Sequence, residues 1–491
     1  MRRPFLLALA AGTALAGCNL APTYVRPVGA VPAALPQGGV YPAAATDARD
    51  ITQVGWRDFF TDERLRQVVA RGLDNNQDLA LAAANVLQAR ALYRVQRADL
   101  VPTTAASASA TYTNNPIGAA GTTGAATGTG TTGTGTGGGV ANGFGSGSTD
   151  LRYYSANVGF SAFELDLFGR IRNLSKAALE QYFASEEAQR STRISLIAEI
   201  ATAWLTIASD EDQLALSRQT LKTFADTLRL TTAQFRIGIA SELEARQAET
   251  NYQAARNDIA VLRTRIAQDR DALDLLVGKP VEPALLPAAL GDARAGIEAL
   301  PTDLSSAVLL RRPDVLGAEH QLVAQNANIG AARAAFFPRI SLTAAVGTIS
   351  TALSGLFGGG GWTYNAGPSA SLPLFDGGRN KGNLDYARAS RQAAVATYQR
   401  TVQVAFREAA DALAQRGTID EQIAAQTARA NAADVAARLS DARYRAGVDS
   451  FLTSLDAQRT AYAARQQLVT TRLARGSNLV ELYRALGGGL N

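Results

Sequence analysis

Glu164-Leu165-Asp166-Leu167-Phe168-Gly169-Arg170 opens onto 67 residues, Ile171 to Ile237, that contain neither Gly nor Pro. At 1.5 Å rise per residue such a run is roughly 100 Å of helix. Gly238 ends it, and Ile239 to Val277 is a further 39 residues free of both breakers. Helices of globular domains average about 11–12 residues, so these do not belong to an ordinary core. Leu221, Phe224, Leu228, Thr231 and Phe235 stand at 3-4-3-4 spacing, the period of a coiled coil. The stretch therefore predicts two long helices folded back on each other at Gly238.

The same grammar occurs again downstream. Phe235-Arg236-Ile237-Gly238 matches Tyr444-Arg445-Ala446-Gly447, and Gly278 matches Gly487, each at an offset of 209. The corner Phe168-Gly169-Arg170 matches Phe375-Asp376-Gly377-Gly378-Arg379. Asn383 to Ala446 and Val448 to Leu486 are again helical runs, interrupted by Gly417 and Gly476. On the last, Leu452, Leu455, Arg459, Tyr462, Gln466, Val469 and Leu473 have seam spacing, with polar residues among them. The chain reads as an internal two-fold repeat: 62–278 and 303–487 are the copies, with a linker at 279–302 and a tail at 488–491. Each copy opens with a helix (about 62–100 and about 303–336) stopped at Pro102 or Pro338. Two strands follow, 103–113 with 153–165 and 339–349 with 363–374, and then the hairpin, 171–277 or 380–486. Alternation along the strands is weak. The first copy carries an extra loop at 117–149, in which 13 residues are Gly.

Composition limits the chemistry. Among 491 residues there is one Cys, one His and one Met. No intrachain disulfide can form, a Cys/His zinc site lacks ligands, and a catalytic triad would depend on His320 alone. His320, in Glu319-His320-Gln321, and the pair Arg311-Arg312 read as helix-surface residues. Gly358 to Gly361 lacks a following Lys-Ser/Thr, so no P-loop is read. We expect no catalytic residues, no metal and no cofactor. The net charge is +5 with no block of like charges, which gives no sign of nucleic acid as a partner.

The N-terminus supplies an address. A basic start at Arg2-Arg3 precedes a short apolar run, Phe5 to Gly17, too short to span a bilayer. It ends in Leu15-Ala16-Gly17-Cys18, which resembles a bacterial lipobox. That resemblance implies a signal peptide at 1–17, lipidation of Cys18, and an acylated extended segment at 18–61; an ordinary signal peptide with a chance Cys is the alternative. No stretch of the mature chain reaches 18 apolar residues, so a membrane crossing would have to be a closed barrel. Four strands are too few, since membrane barrels start at about eight. Several chains would have to share one.

The chain resembles the outer membrane factors, the TolC-like channels, and within them the OprM-type efflux lipoproteins. The motifs are Trp56-Arg57-Asp58-Phe59-Phe60, Asn76-Gln77-Asp78-Leu79, both strand-to-helix corners, Arg311-Arg312-Pro313-Asp314 and Ile329-Gly330-Ala331-Ala332-Arg333-Ala334-Ala335-Phe336-Phe337-Pro338. The resemblance implies a mixed membrane protein. Three chains would form a twelve-stranded β-barrel in the outer membrane, continuous with a periplasmic α-helical barrel and girdled near residues 280–300. It implies a homotrimer that works with a periplasmic membrane-fusion adaptor, an inner-membrane RND-type transporter and outer membrane lipid. It places the closed end at the hairpin turns, Gly238 and Gly447. There Leu452 and Asp456 would form an apolar and an acidic ring, and Tyr444 and Glu244 would latch the tip. A second acidic ring found in TolC would fall at Thr453, and is absent. The expected function is a passive efflux duct for small molecules. The duct of a type I protein secretion system is the alternative in the same fold, and a structural coiled-coil lipoprotein the alternative of another class.

Overall fold

The computed structural model describes residues 19–42, 54–115, 149–291 and 306–488. Cys18, the leader, most of the Gly/Thr loop, residues 292–305 and the last three residues lie outside them. The helices are α1 (Trp56–Phe59), α2 (Glu63–Asn75), α3 (Gln77–Ala98), α4 (Arg170–Arg236), α5 (Glu242–Val277), α6 (Pro313–Ala334), α7 (Arg379–Arg445) and α8 (Phe451–Ala485). The strands are β1 (Ala105–Asn115), β2 (Thr149–Leu165), β3 (Arg339–Ser350) and β4 (Trp362–Ser371). Contacts divide the chain into two compact units. One holds the described parts of 1–22, 94–175 and 327–386, and the other those of 23–93, 176–326 and 387–491.

The first unit is a four-stranded antiparallel sheet in the order β1-β2-β3-β4. Register sorts its residues into two faces, because cross-strand partners share a side and neighbours along a strand alternate. Val158 pairs with Val346 and Val346 with Tyr364, and the same face carries Tyr112, Tyr154 and Trp362. The other face carries Ser109 opposite Ser155 and Ser341 opposite Ser369, hydrogen-bonded at 2.9 and 2.8 Å. Tyr153 and Ile349 on the Ser face, and Arg152, Thr348 and Ser350 on the other, depart from this division. A bulge between Phe160 and Phe163 inserts one residue, Ala162 at φ 55°, and so keeps both Phe on the apolar face. β4 stops at Ser371, short of the expected 374, because Pro373 has no N–H to give a ladder.

The corners are tied locally. Arg170 grips Glu164 through two bonds of 2.8 and 2.6 Å, and Phe168 stacks on Phe337 at 4.6 Å. Gly169, Gly377 and Gly378 all have positive φ. Asp376 accepts the backbone N–H groups of Gly378 and Asn380, each at 2.9 Å, and these hold its carboxyl below the usual range. Arg379 begins α7, while Phe375 is 92% exposed.

The second unit is helical. α4 and α7 are each 67 residues and their partners α5 and α8 are 36 and 35. No described helix is long and apolar enough to cross a membrane. Several expectations need correction. The helix read over 62–100 is two, because Asn76 takes an extended conformation, accepts the N–H of Leu79 as a cap, and donates to the Leu276 carbonyl at 2.8 Å. The segment read as extended up to residue 61 contains α1, whose Phe59 stacks on Tyr483 at 4.5 Å inside the core. Gly417 and Gly476 break no helix. A Cβ at Gly417 would stand 2.0 Å from the Val40 carbonyl oxygen, so this glycine lets the N-terminal segment cross α7. The buried stripe of α8 includes Phe451, Ser454, Leu455, Ala461, Ala464 and Thr471; of the predicted seam Leu455 is buried, Tyr462, Gln466, Val469 and Leu473 are half-buried, and Leu452 and Arg459 are exposed.

Arg312 is not on the surface. Its side chain is 6% exposed and forks onto Asp314 at 3.0 and 2.8 Å, onto Glu408 at 2.8 Å and onto the Ala485 carbonyl at 2.8 Å. Burial opposes the guanidinium charge, and the carboxylates of Asp314 and Glu408 outweigh it. His320 is likewise engaged, with Nδ1 2.7 Å from Glu180 and its ring 5.4 Å from that of Phe183. Among the described residues no cluster of His, Cys, Asp and Glu could hold a metal ion.

Candidate pore constriction at the hairpin turns

Both hairpins turn the same way. Gly238 sits at φ 77° and Gly447 at φ 75°, a left-handed conformation that a Cβ would strain. Ile239 N–H returns to the Gln234 carbonyl and Val448 N–H to that of Arg443, both at 2.9 Å, so each helix closes on a Schellman-type bond. Ser241 then caps α5 and Ser450 caps α8.

The two caps differ in charge. At α5 the box is reciprocal: Glu244 N–H donates to the Ser241 hydroxyl at 3.2 Å, and Ser241 N–H to the Glu244 carboxylate at 2.8 Å. At α8 the corresponding residue is Thr453, which donates its N–H to Ser450 at 3.2 Å. The acid here is Asp449, gripped by Arg443 at 2.6 and 2.9 Å, and that guanidinium holds the Asp449 carboxyl below its ordinary range.

Tyr444 joins the hairpins inside the unit. Its hydroxyl donates to Gln234 Oε1 at 2.8 Å, and its ring lies 5.5 Å from Phe451 in a cluster with Leu228, Ala248 and Leu455. Burial, then the charge of Glu244, pushes its phenol up. Gln234 and Phe451 were not anticipated from sequence; the 3-4 spacing of Phe451 with the buried stripe was the available signal for the second.

Leu452 and Asp456 face the other way. Leu452 is 60% exposed and Asp456 is exposed, while Phe451 and Leu455 beside them are buried at 2% and 4%. Four residues apart, they share one helix face. Repeated around an axis, such a face would give an apolar constriction followed by a ring of carboxylates, a device that narrows a pore and selects by charge.

A sheet with one apolar face, joined in sequence to helices of 67 residues, defines the class of outer membrane channels. The comparisons agree. The family model described as outer membrane efflux protein matches residues 68–279 and 304–488. The chain is 42% identical over 477 residues to the toluene efflux pump outer membrane protein TtgC of Pseudomonas putida, covering 97% of this chain and 93% of that one. It is 39% identical to the outer membrane protein OprJ of Pseudomonas aeruginosa, covering 100% of this chain and 97% of OprJ. The crystal structure of the open MtrE outer membrane channel of Neisseria gonorrhoeae matches with a TM-score of 0.82 and 35% identity, over 96% of this chain and 99% of MtrE. The chain belongs to the outer membrane efflux protein family.

Proposed function

We propose that this chain is the outer membrane duct of a tripartite efflux pump, assembled as a homotrimer and passive in itself. Three four-stranded sheets, joined β4 to β1, make a closed barrel of twelve strands, with its Tyr, Trp and Val face to lipid and its Ser face to water. Free edges of β1 and β4 in a single chain support this closure. So does α3, which has no buried residue and exposes Leu81, Leu87 and Leu92 at 61%, 64% and 62%. The hairpins line a periplasmic α-barrel, Cys18 carries the lipid anchor, and an adaptor joins the turns to an RND-type inner-membrane transporter that supplies the energy. The duct performs no catalysis and uses no cofactor or nucleic acid. Its cargo is small and apolar, of the kind of the toluene named for TtgC, or a drug, of the kind of the antibiotic named for the antibiotic efflux pump outer membrane protein ArpC of Pseudomonas putida. Such relatives favour efflux over type I secretion, and the sheet argues against a purely coiled-coil lipoprotein.

The observation that carries the gating role is the outward Leu452–Asp456 face beside a buried Phe451–Leu455 seam. Single-channel recording in planar bilayers tests it: Leu452→Ala with Asp456→Ala raises conductance, and unchanged conductance refutes the constriction.

A further inference from the structure

One polar cluster on the hairpins is not used by the turns or by the Leu452–Asp456 face. Tyr462 of α8 reaches across to the first hairpin, where its hydroxyl lies 3.0 Å from Asp258 Oδ2 on α5 and 2.8 Å from Ser217 Oγ on α4. Ser217 is fully buried, at 0%, and its hydroxyl also lies 2.8 Å from the Gln213 carbonyl.

The protons can be assigned. A carboxylate only accepts, so Tyr462 donates to Asp258. Ser217 has one proton, which lies between the Gln213 carbonyl and the Tyr462 oxygen, each at 2.8 Å. The Tyr462–Asp258 bond thus ends on a charge, the stronger kind of hydrogen bond, and its loss would leave the half-buried carboxylate without that donor, while Ser217 keeps the Gln213 carbonyl. On either side of it the hairpins are sealed separately. Leu214, Ile259, Leu262 and Ile266 close α4 on α5, and Ala430, Ala433, Ala461 and Ala464 close α7 on α8. Toward the turns, the polar tie between hairpins is the Tyr444–Gln234 bond, neutral on both sides and next to solvent-exposed turns.

Resting on the constriction reading, we propose that the Tyr462–Asp258–Ser217 triad is the pivot of tip opening. The second hairpin swings when the Tyr444 contact releases, and the swing stops at Tyr462, whose bonds persist in both states. Tyr462 lies 15 residues beyond Gly447, so the moving arm is about 22 Å of helix at 1.5 Å per residue. Opening beyond that point would break the charged triad, while opening short of it costs a neutral hydrogen bond and part of a small apolar cluster. Tyr462 is a positioning residue in this scheme; it does not line the constriction.

Crosslinking separates a pivot from a latch. Cys18 is the chain's single Cys, so introduced pairs give an uncluttered readout. Ser217→Cys with Tyr462→Cys, and separately Gln234→Cys with Tyr444→Cys, are expressed in place of the wild-type chain with its own pump. Each pair is treated with a short bifunctional thiol reagent, and ethidium efflux is followed. The tip crosslink should abolish efflux, and the 217/462 crosslink should leave it intact. Loss of efflux with the 217/462 crosslink overturns the pivot, since the bond must then break for opening. Efflux persisting through the tip crosslink overturns the constriction reading instead. In planar bilayers Tyr462→Phe, with its ring retained, should leave open-state occupancy unchanged, because bonds made in both states cancel, whereas Tyr444→Phe should raise it about fivefold, the worth of one net hydrogen bond. A fivefold rise with Tyr462→Phe, in a variant that still forms heat-modifiable trimers, overturns the proposal as well.

Discussion

Replacing Arg312 with Met removes four hydrogen bonds from a site whose side chain is 6% exposed, and the loss can be estimated partner by partner. Asp314 is 32% exposed, so water takes over much of its solvation. Glu408 is 19% exposed and keeps a longer contact with Arg484 at 3.3 Å, so it is only partly stranded. The Ala485 carbonyl, at the end of α8, loses its donor inside the core. Breaking one side of a buried ion pair costs about 3–5 kcal/mol, and the two residual solvations put this site near the lower bound, about 3 kcal/mol. With an unfolding entropy of about 2.1 cal/mol/K per residue, 491 residues give roughly 1 kcal/mol/K, so the midpoint should fall by about 3 °C if the chain melts as one unit. The assay is thermal unfolding of the detergent-purified assembly followed by circular dichroism. Arg312→Met with Glu408→Met should regain part of the loss, because the stranded carboxylate is removed with its partner. A single-variant shift below about 1 °C, or a double variant worse than the sum of the singles, would refute the buried network and restore Arg312 to the surface.

Two further predictions concern the same helical unit. Gly417→Ala should lower the thermal midpoint and loosen the N-terminal segment, because its Cβ would meet the Val40 carbonyl at 2.0 Å; proteolysis of the segment at the wild-type rate would count against that crossing. Burial, partly offset by Arg265, and the neighbouring charge of Asp269 push the Asp210 carboxyl from 3.8 up to about 6. The folded form therefore holds a proton that the unfolded chain has released between about pH 4 and 6, and stability falls as pH rises through that window, by at most about 3 kcal/mol. Asp210→Asn should remove this slope, and an unaltered slope of midpoint against pH refutes the assignment.

What could be read from the sequence was whatever one residue decides locally. Gly238 and Gly447 are legible because a helix free of Gly and Pro for tens of residues stops where a left-handed residue is required, and both occupy that conformation. The register of the seam was not legible. Leu452, Arg459, Gln466 and Leu473 recur every seven residues, Phe451, Ser454 and Leu455 stand at i, i+3 and i+4, and helical spacing cannot choose between adjacent faces when each carries both apolar and polar residues. The strand faces were obscured by composition. β1 reads Ala-Ala-Ser-Ala-Ser-Ala, where the contrast between sides is a hydroxyl and nothing larger, and only pairing with Val158, Val346 and Tyr364 gives each side its character.

Arg312 and Gly417 show a second limit. Each is an ordinary residue in its own helix, and its role is set by a chain segment far away in sequence: Glu408 and Ala485 for the arginine, Val40 for the glycine. Tyr462 belongs with them. As a helix residue it passes for one more seam position, and its hydroxyl acquires a meaning only when α4 and α5 bring Ser217 and Asp258 within 3.0 Å. The tip therefore has two kinds of parts. Turns and caps are written locally and can be varied one at a time, whereas the ties that govern how far a hairpin can move are written across three helices. Substitutions at Ser217, Asp258 and Tyr462 should for that reason be non-additive, while those at Gly238 and Gly447 should add.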